Sequence, residues 1–346
     1  MYIKFMKDEN PNIYVAQWLL LITLLIGIMI VVGGLTRLTD SGLSITKWDL
    51  ISGIIPPLTS IEWDKYFSLY KEIPEYKEIN SSMTLAEFKT IYWWEYIHRL
   101  LGRLIGLTYL VPLIYFTFKK KLENNSLKFL YIIFFLILIQ GIVGWFMVKS
   151  GLVDRVDVSH YRLSLHLTLA FIIYILVFWN YLQYKNKENS ISYKKGIFNL
   201  LAFFLLLLII QISVGALVSG LDAGKIYQSW PLMNGNYFPN DSSASDLILL
   251  NSLSVPSIVQ FLHRNLAYLI FFVFLYIWFI ILKNKNYKHL RKYSFFVLFF
   301  LLFQIFLGIL TILSGAQIIL ASMHQIGSIF LVTSTVILIF ENSKTN

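Results

Sequence analysis

The chain has 346 residues, of which 57% are hydrophobic, 17% aromatic and only 14% charged, and its mean hydropathy is +0.66. This composition excludes an ordinary soluble domain and predicts a polytopic membrane protein, whose formal charge of +10 suits anionic lipid headgroups and calls for no nucleic acid. Because the chain has 0 cysteines, it can form no disulfide, no all-cysteine iron–sulfur cluster and no thiolate-ligated haem.

Eight apolar runs are long enough to cross a hydrocarbon core of about 30 Å, which takes about 20 helical residues. The first run is too long for the apolar part of a signal peptide and has no small-residue cleavage site, so we expect it to remain as an anchor. No Arg-rich, Ser-rich presequence precedes it, which favours a bacterial protein over an imported organellar one. The predicted spans are 14–36, 91–117, 127–149, 160–182, 197–219, 258–282, 293–313 and 318–340.

Lysine and arginine concentrate in the connections on one side of the predicted spans, within 119–128, 185–195 and 283–292. Cytoplasmic loops carry such an excess, so this side is predicted to be the cytoplasm. An even number of spans places both termini there as well. The sequence therefore predicts a multi-pass protein of the bacterial inner (cytoplasmic) membrane, with the long loops 37–90 and 220–257 on the outer face.

The chain repeats itself in its two halves. The run V-G-G-L at 32–35 leads to Asp40 and Trp48, and the run V-G-A-L at 214–217 leads at the same spacing to Asp222 and Trp230. Each repeat holds four spans, so both enter the membrane in the same direction. The predicted fold is all-α, with eight transmembrane helices arranged as two pseudo-symmetric four-helix bundles, an N-terminal repeat at 14–182 and a C-terminal repeat at 197–340.

Four histidines occupy matching positions on the second and fourth predicted helices of the repeats: His98, His166, His263 and His324. Each lies about 10 Å below the outer boundary, at 1.5 Å of rise per helical residue. Two imidazoles at equal depth can hold a haem between two helices of a bundle. A structural histidine bonded to a neighbouring helix is the alternative, and a zinc site is disfavoured because neither half offers a further close ligand set.

The remaining two histidines are weaker candidates. His160 lies on a different helix face from His166, and His289 lies among basic residues of a predicted cytoplasmic loop.

Several glycines are expected to allow close helix contact or to leave room for a flat ligand, although helix packing alone would also explain each of them. These glycines are Gly33, Gly34, Gly141, Gly144, Gly215 and Gly308.

Glu95 distinguishes the two halves, because the matching residue of the second repeat is Gln260. Glu95 precedes His98 by one helical turn, which suggests chemistry in the first half and electron storage or transfer in the second. Glu95 could instead be hydrated or paired with Arg99 or Arg103.

Arg99 and Arg264 directly follow histidines in the two repeats and are candidates for binding haem propionates. Arg103 and Arg37 are weaker candidates for the same role. Snorkelling of these side chains to the membrane interface is the alternative.

Several motifs together resemble the haem A synthase family, over about residues 14 to 340. The absence of cysteine from the outer loops and the long first loop make the chain similar to the alphaproteobacterial and mitochondrial branch. Some members carry paired cysteines there, so their absence argues against thiol-based electron entry in this chain. The motifs are G-G-L-T-R-L-T-D-S-G-L-S at 33–44, E-Y-I-H-R-L-L-G-R at 95–103, S-W-P-L-M-N-G at 229–235 and M-H-Q at 323–325.

The resemblance implies an oxidoreductase that converts haem O into haem A for cytochrome oxidase assembly. Two successive hydroxylations of the C8 methyl group would give a gem-diol, which loses water to leave the formyl group. His263 and His324 would ligate a resident haem b, and His98 and His166 would hold the substrate haem O. Glu95 would act as a catalytic residue near the reacting edge, where a carboxylate can stabilise a cation or move protons.

Two other classes of protein stay open from the residues. A bis-histidine di-haem b electron-transfer protein, such as a quinol-linked reductase, would use the same four histidines but does not need unequal halves. A transporter would be expected to show broken helices and polar groups at the midplane. We expect direct transfer of substrate from a haem O synthase, whereas the electron donor, the source of the formyl oxygen and a homo-oligomeric state are not indicated by the sequence.

Overall fold

The computed structural model describes residues 11–49, 52–122, 124–186, 197–249 and 251–344. These residues form helices joined by turns and short 3₁₀ segments, with no β-strand among them. The helices are α1 (Pro11–Leu38), α2 (Ser60–Tyr70), α3 (Pro74–Glu78), α4 (Leu85–Phe118), α5 (Asn124–Asp154), α6 (His160–Asn186), α7 (Ile197–Gly220), α8 (Pro256–Lys283), α9 (Arg291–Leu313) and α10 (Ile318–Ser343).

Eight of the helices are long and apolar enough to cross a membrane, which confirms the predicted number of spans. These are α1 and α4 to α10. The largest difference at an outer end is in α4, which begins at Leu85 rather than near residue 91. A capping box explains the extra turns, because the Thr84 side chain accepts from the Glu87 backbone N–H while the Glu87 side chain accepts from the Thr84 backbone N–H.

The eight long helices form two four-membered rings. In the first, α1 packs on α4 and α6, and α5 completes the ring between α4 and α6; in the second, α7 packs on α8 and α10, with α9 between α8 and α10. Helices α1 and α6 of the first ring contact α7 and α10 of the second. The arrangement is that of two four-helix bundles side by side, as the internal repeat predicts.

The first outer loop contains two short helices. Helix α2 packs on the outer end of α4 and α3 packs on α5, and an aromatic cluster fills the space around them. Tyr70 and Phe88 are fully buried there, and Trp63 lies edge-on to Tyr92 with 5.0 Å between ring centroids. These aromatic side chains therefore hold α2 against α4, and Tyr76 of α3 packs on Phe67 and Tyr70 of α2.

The pseudo-symmetry extends to the first turn after α1 and after α7. Asp40 and Asp222 occupy matching positions, and both have left-handed backbone angles, with φ of 47° and 51°.

Three of the lysines used to predict orientation, Lys187, Lys194 and Lys195, lie outside the described residues, as do the first ten residues and the last two.

Candidate functional site

The four candidate histidines form two pairs, one in each bundle. His98 on α4 faces His166 on α6, and His263 on α8 faces His324 on α10; the ring centroids are 6.4 Å apart in both pairs. Two imidazoles that bind one metal ion from opposite sides have centroids about 6 Å apart, since each metal–nitrogen bond is about 2 Å long. The spacing therefore fits an iron atom between each pair.

The ligand chemistry of these pairs suits haem better than a metal held by protein alone. Among the described residues there is no group of three or more His, Cys, Asp or Glu side chains that could hold a metal ion. A haem iron needs only two axial ligands, because the porphyrin supplies the others. Buried Nδ1 atoms of His166, His263 and His324 also have no hydrogen-bond partner within the described part of the chain.

Each histidine ring rests against a glycine of a neighbouring helix. A Cβ atom added to Gly144 or Gly308 would lie 2.9 Å from the Cε1 atom of His166 or His324. Gly33 meets His98 and Gly215 meets His263 in the same way, with 3.2 Å and 3.0 Å to the nearest ring atom. The expected close helix contact is confirmed at these four glycines.

Gly141 makes no close helix contact, because an added Cβ would meet nothing within 4 Å. Gly34 does make a close approach, but its neighbour is the side chain of Gln325 and not a histidine. Gln325 donates from Nε2 to the Ile30 carbonyl at 2.8 Å and so ties α10 of the second bundle to α1 of the first.

Glutamines hold the backbone at three of the four histidines. Gln140 Nε2 donates to the His166 carbonyl at 3.0 Å, and Gln304 Nε2 donates to the matching His324 carbonyl at 2.8 Å. Gln211 does the same for His263, at 3.0 Å. This role of Gln140 and Gln304 was not predicted, although a polar side chain repeated at one depth of two apolar helices was a usable signal.

Glu95 is buried, with 2% of its surface exposed, so the alternative of a hydrated carboxylate is wrong. Ser44 Oγ and the Ile45 backbone N–H both donate to Glu95 Oε2 at 2.7 Å. Arg99 donates to Oε1 from Nε at 3.0 Å and from Nη2 at 2.6 Å. All of these partners are donors, which places the carboxyl group as an acceptor in a charge-assisted pair with Arg99.

The second bundle repeats this arrangement without the carboxylate. Arg99 donates to the carbonyls of Ile45 and Lys47, and Arg264 donates to the carbonyls of Tyr227 and Ser229, which are the matching positions. Gln260 takes the place of Glu95 and donates to the Tyr227 carbonyl at 3.1 Å. Both arginines therefore hold the outer loop down on the bundle, and binding of propionates by them stays a prediction.

Arg37 joins the two halves at the outer face. Its guanidinium group donates to Asp40 at 2.6 Å, to the Ser219 carbonyl at 2.9 Å and to Asp222 at 3.4 Å. Burial opposes ionisation of Asp222, but the hydrogen bond from Lys225 and the charge of Arg37 together lower the pKa of its carboxyl group. Arg103 donates to the Asp49 carbonyl at 2.9 Å, beside the same outer segment that Arg99 holds.

The two weaker histidines lie outside the pairs, as predicted. His160 Nε2 lies 3.1 Å from Ser254 Oγ, where it joins α6 to the second outer loop. His289 is exposed in the 3₁₀ segment Lys285–Leu290. Neither ring contacts another candidate ligand.

Comparison with known proteins agrees with this geometry. Three curated relatives, each named heme A synthase, come from Pelagibacter ubique (51% identical), Rickettsia bellii (44%) and Flavobacterium johnsoniae (40%). The similarity covers 98%, 92% and 98% of this chain and 100%, 95% and 100% of those proteins, respectively. The family model COX15-CtaA, described as cytochrome oxidase assembly protein, matches residues 16–336, so this chain belongs to that family.

Proposed function

We propose that this chain is a haem A synthase, an oxidoreductase that converts the C8 methyl group of haem O into the formyl group of haem A for cytochrome oxidase. The family match and the named relatives support this assignment. The single observation that carries it is the unequal pair of histidine sites, since only the first bundle has a carboxylate, Glu95, one turn from its histidine. Nothing in the comparisons supports the di-haem electron-transfer alternative.

The two bundles have different roles, substrate binding in the first and electron transfer in the second. His98 and His166 hold the substrate haem O in the first bundle, while His263 and His324 hold a resident haem b in the second, which passes electrons when it is bound. The chain positions these groups with four glycines that leave the histidine rings free of side-chain contact on one side. Apolar helices around both pairs exclude water from the reacting methyl group.

Glu95 and Arg99 place a fixed ion pair at the substrate site, with the carboxylate as its negative end. Ser44, the Ile45 N–H and Arg99 hold its carboxylate without rearrangement, which is the preorganisation that stabilises positive charge developing on a substrate. Arg99 is then the residue that positions Glu95 and also fixes the outer loop. In the second bundle the amide of Gln260 fills the same place, which suits a site that stores or passes electrons.

The setting of the reaction follows from the charge pattern. We infer that the protein lies in the bacterial inner membrane with both termini in the cytoplasm, so that the histidine pairs lie near the outer face. Haem O would arrive by direct transfer from a haem O synthase, because free haem is poorly soluble and reactive. Contact between copies of the chain is compatible with its exposed apolar helices, which lipid also covers.

The test uses cells that make haem O but lack their own haem A synthase. Expression of this chain should make haem A appear among the extracted haems, separated by chromatography. The Glu95→Gln variant, which copies Gln260, should lower haem A at least about tenfold while haem O stays bound, because one preorganised charge is lost. Exposed Glu78 on α3 provides the matched control, and Glu78→Gln should behave as wild type.

Two results would contradict the proposal at different levels. If the wild-type chain produces no haem A, the proposed function is wrong. If Glu95→Gln produces as much haem A as wild type, the function stands and Glu95 has a structural role only.

A further inference from the structure

A cleft of about 250 Å³ opens on the outer side of the first bundle, between the segment at 45–48 and the outer end of α5. Its wall is largely apolar and aromatic, but two cations line it, Arg99 and Lys149. Each cation lies over an indole ring: Arg99 is 4.7 Å from the ring centroid of Trp48, and Lys149 is 5.0 Å from that of Trp145. A cleft of this kind suits a flat apolar ligand that carries carboxylates.

Both helices that line the cleft, α4 and α5, also carry residues of the first histidine site. Arg99 directly follows His98 on α4, and Trp145 directly follows Gly144, the glycine that packs against His166 on α6. Lys149 lies about one turn farther out on α5 than Trp145. A ligand held between the histidines would therefore reach this cleft with its outer edge.

The two cations differ in how far their hydrogen-bonding capacity is used. Arg99 already donates to Glu95 and to two loop carbonyls. Lys149 is exposed and has no ion pair among the described residues. A carboxylate of a ligand in the cleft could therefore form an ion pair with Lys149.

The matching place in the second bundle is built differently. The residues that correspond to Trp145 and Lys149 are Ile309 and Leu313, so the cation and the indole ring are both absent from these positions. The residue that corresponds to Thr46 is Gln228, whose longer side chain reaches to 3.0 Å from a Cβ position on Gly315.

The glycines near the start of the outer loops show the same contrast. A Cβ on Gly224 would lie 3.2 Å from Cβ of Ala316, just beyond α9, whereas a Cβ on the matching Gly42 would meet nothing within 4 Å. Both loops pack on the end of a helix, the second through Gly224 and Ala316 and the first through Leu43, which lies 2.8 Å from a Cβ position on Gly151 at the outer end of α5. The open space in the first bundle is therefore limited to the side of the loop at Gly42.

We propose that the cleft is a subsite for the carboxylates of the tetrapyrrole, with Lys149 as their main cationic partner, and that it serves substrate entry and product exit in the first bundle. The inference rests on the proposed function, which places a haem with two propionates between His98 and His166. It gives a structural reason why the haem of the first bundle exchanges while that of the second stays. Lys149 is a binding residue here and takes no part in the oxidation.

The test measures haem O binding by purified protein whose second bundle already carries haem b, prepared from cells without haem O synthase. Optical titration should show that Lys149→Leu, which copies Leu313, weakens haem O binding at least tenfold, whereas Lys149→Arg retains most of it. Exposed Lys128, near the opposite end of the same helix, provides the matched control, and Lys128→Leu should bind as wild type. Retention of haem b reports that each variant is folded.

A second measurement needs no variant. The dimethyl ester of haem O has lost both carboxylate charges, so wild type should bind it as weakly as Lys149→Leu binds haem O, and the variant should not distinguish ester from acid. Equal binding of haem O by wild type and Lys149→Leu, or equal binding of ester and acid by wild type, would overturn the subsite alone. Failure of wild type to bind any haem O would overturn the proposed function with it.

Discussion

Gly144 and Gly308 lie where a histidine ring of the neighbouring helix presses on the backbone, and each is the repeat counterpart of the other. A methyl group at either position must displace the ring, and overpacking of this kind costs about 1–3 kcal/mol. Because the same contact occurs in both bundles, the two glycines allow the two haem sites to be perturbed one at a time. Gly141, on the same helix as Gly144, has open space instead and serves as the control.

Gly144→Ala should lower haem O occupancy about tenfold and leave haem b in place, since 1.4 kcal/mol corresponds to a factor of ten. Gly308→Ala should have the opposite effect, with loss of haem b. The haem content of the purified variants measures both. The same haem content in Gly144→Ala and Gly141→Ala would show that the glycine does not shape the site.

The site residues were predictable from the sequence to an uneven degree. The histidines could be found because an imidazole in an apolar helix is costly without a partner, and their repetition made chance unlikely as an explanation. The partners of Glu95 could not, because Ser44 and the Ile45 N–H lie in a loop whose path depends on tertiary contacts. Only Arg99 could be predicted as a partner of Glu95, because it lies one turn along the same helix.

Among the helices, α2 and α3 of the first outer loop were not predicted from the sequence. Hydropathy locates the spans because each must cross about 30 Å of hydrocarbon, but α2 and α3 are polar and face no such constraint. Their local signals were present: Thr59 and Glu62 form a capping box at the start of α2, and Pro74 begins α3. The packing of α2 on α4 and of α3 on α5 could not be predicted from these local signals.

Helix α3 carries a buried carboxyl group that the proposed reaction does not use. Glu75 is 4% exposed, and its Oε2 atom has no hydrogen-bond partner among the described residues. Burial, with smaller contributions from the charges of Glu95, Asp40 and Asp157, raises the pKa of Glu75 to about 8. The folded protein therefore binds this proton more tightly than the unfolded chain does.

The stability of the segment that contains α2 and α3 should fall as pH rises. A raised pKa contributes stability that is fully present below the ordinary value of 4.5 and is lost as pH passes through about 8. At roughly 1.4 kcal/mol per pKa unit the loss can reach a few kcal/mol. Thermal unfolding of detergent-solubilised protein should show Tm falling from pH 6 to pH 9 in wild type and falling less in Glu75→Gln. Parallel Tm curves would contradict the assignment.

For the whole molecule, the two bundles are joined by helix packing, by the hydrogen bond from Gln325 to the Ile30 carbonyl and by Arg37 at the outer face. The repeat could be read from the sequence, since V-G-G-L and V-G-A-L recur at one spacing from Asp40 and Asp222. The contact between the bundles could not, because packing among apolar helices leaves no distinctive pattern in the residues that make it.

The predicted orientation can be tested directly because the chain has 0 cysteines, so each introduced thiol is the only one. Ser245 in the second outer loop and Lys285 between α8 and α9 are both exposed. A membrane-impermeant maleimide should label Ser245→Cys in intact spheroplasts and should label Lys285→Cys only after lysis. The reverse pattern would place the histidine pairs near the cytoplasmic face.

The central claim is that the two bundles hold different haems for different purposes, and the haem content of purified histidine variants tests it most directly. The protein would be made in cells that also make haem O, and its haems extracted and separated. Replacing His98 or His166 with alanine should remove haem O and haem A and leave haem b, whereas replacing His263 or His324 should remove haem b. Two haem b per chain in wild type, with one lost on replacement in either bundle, would contradict the account.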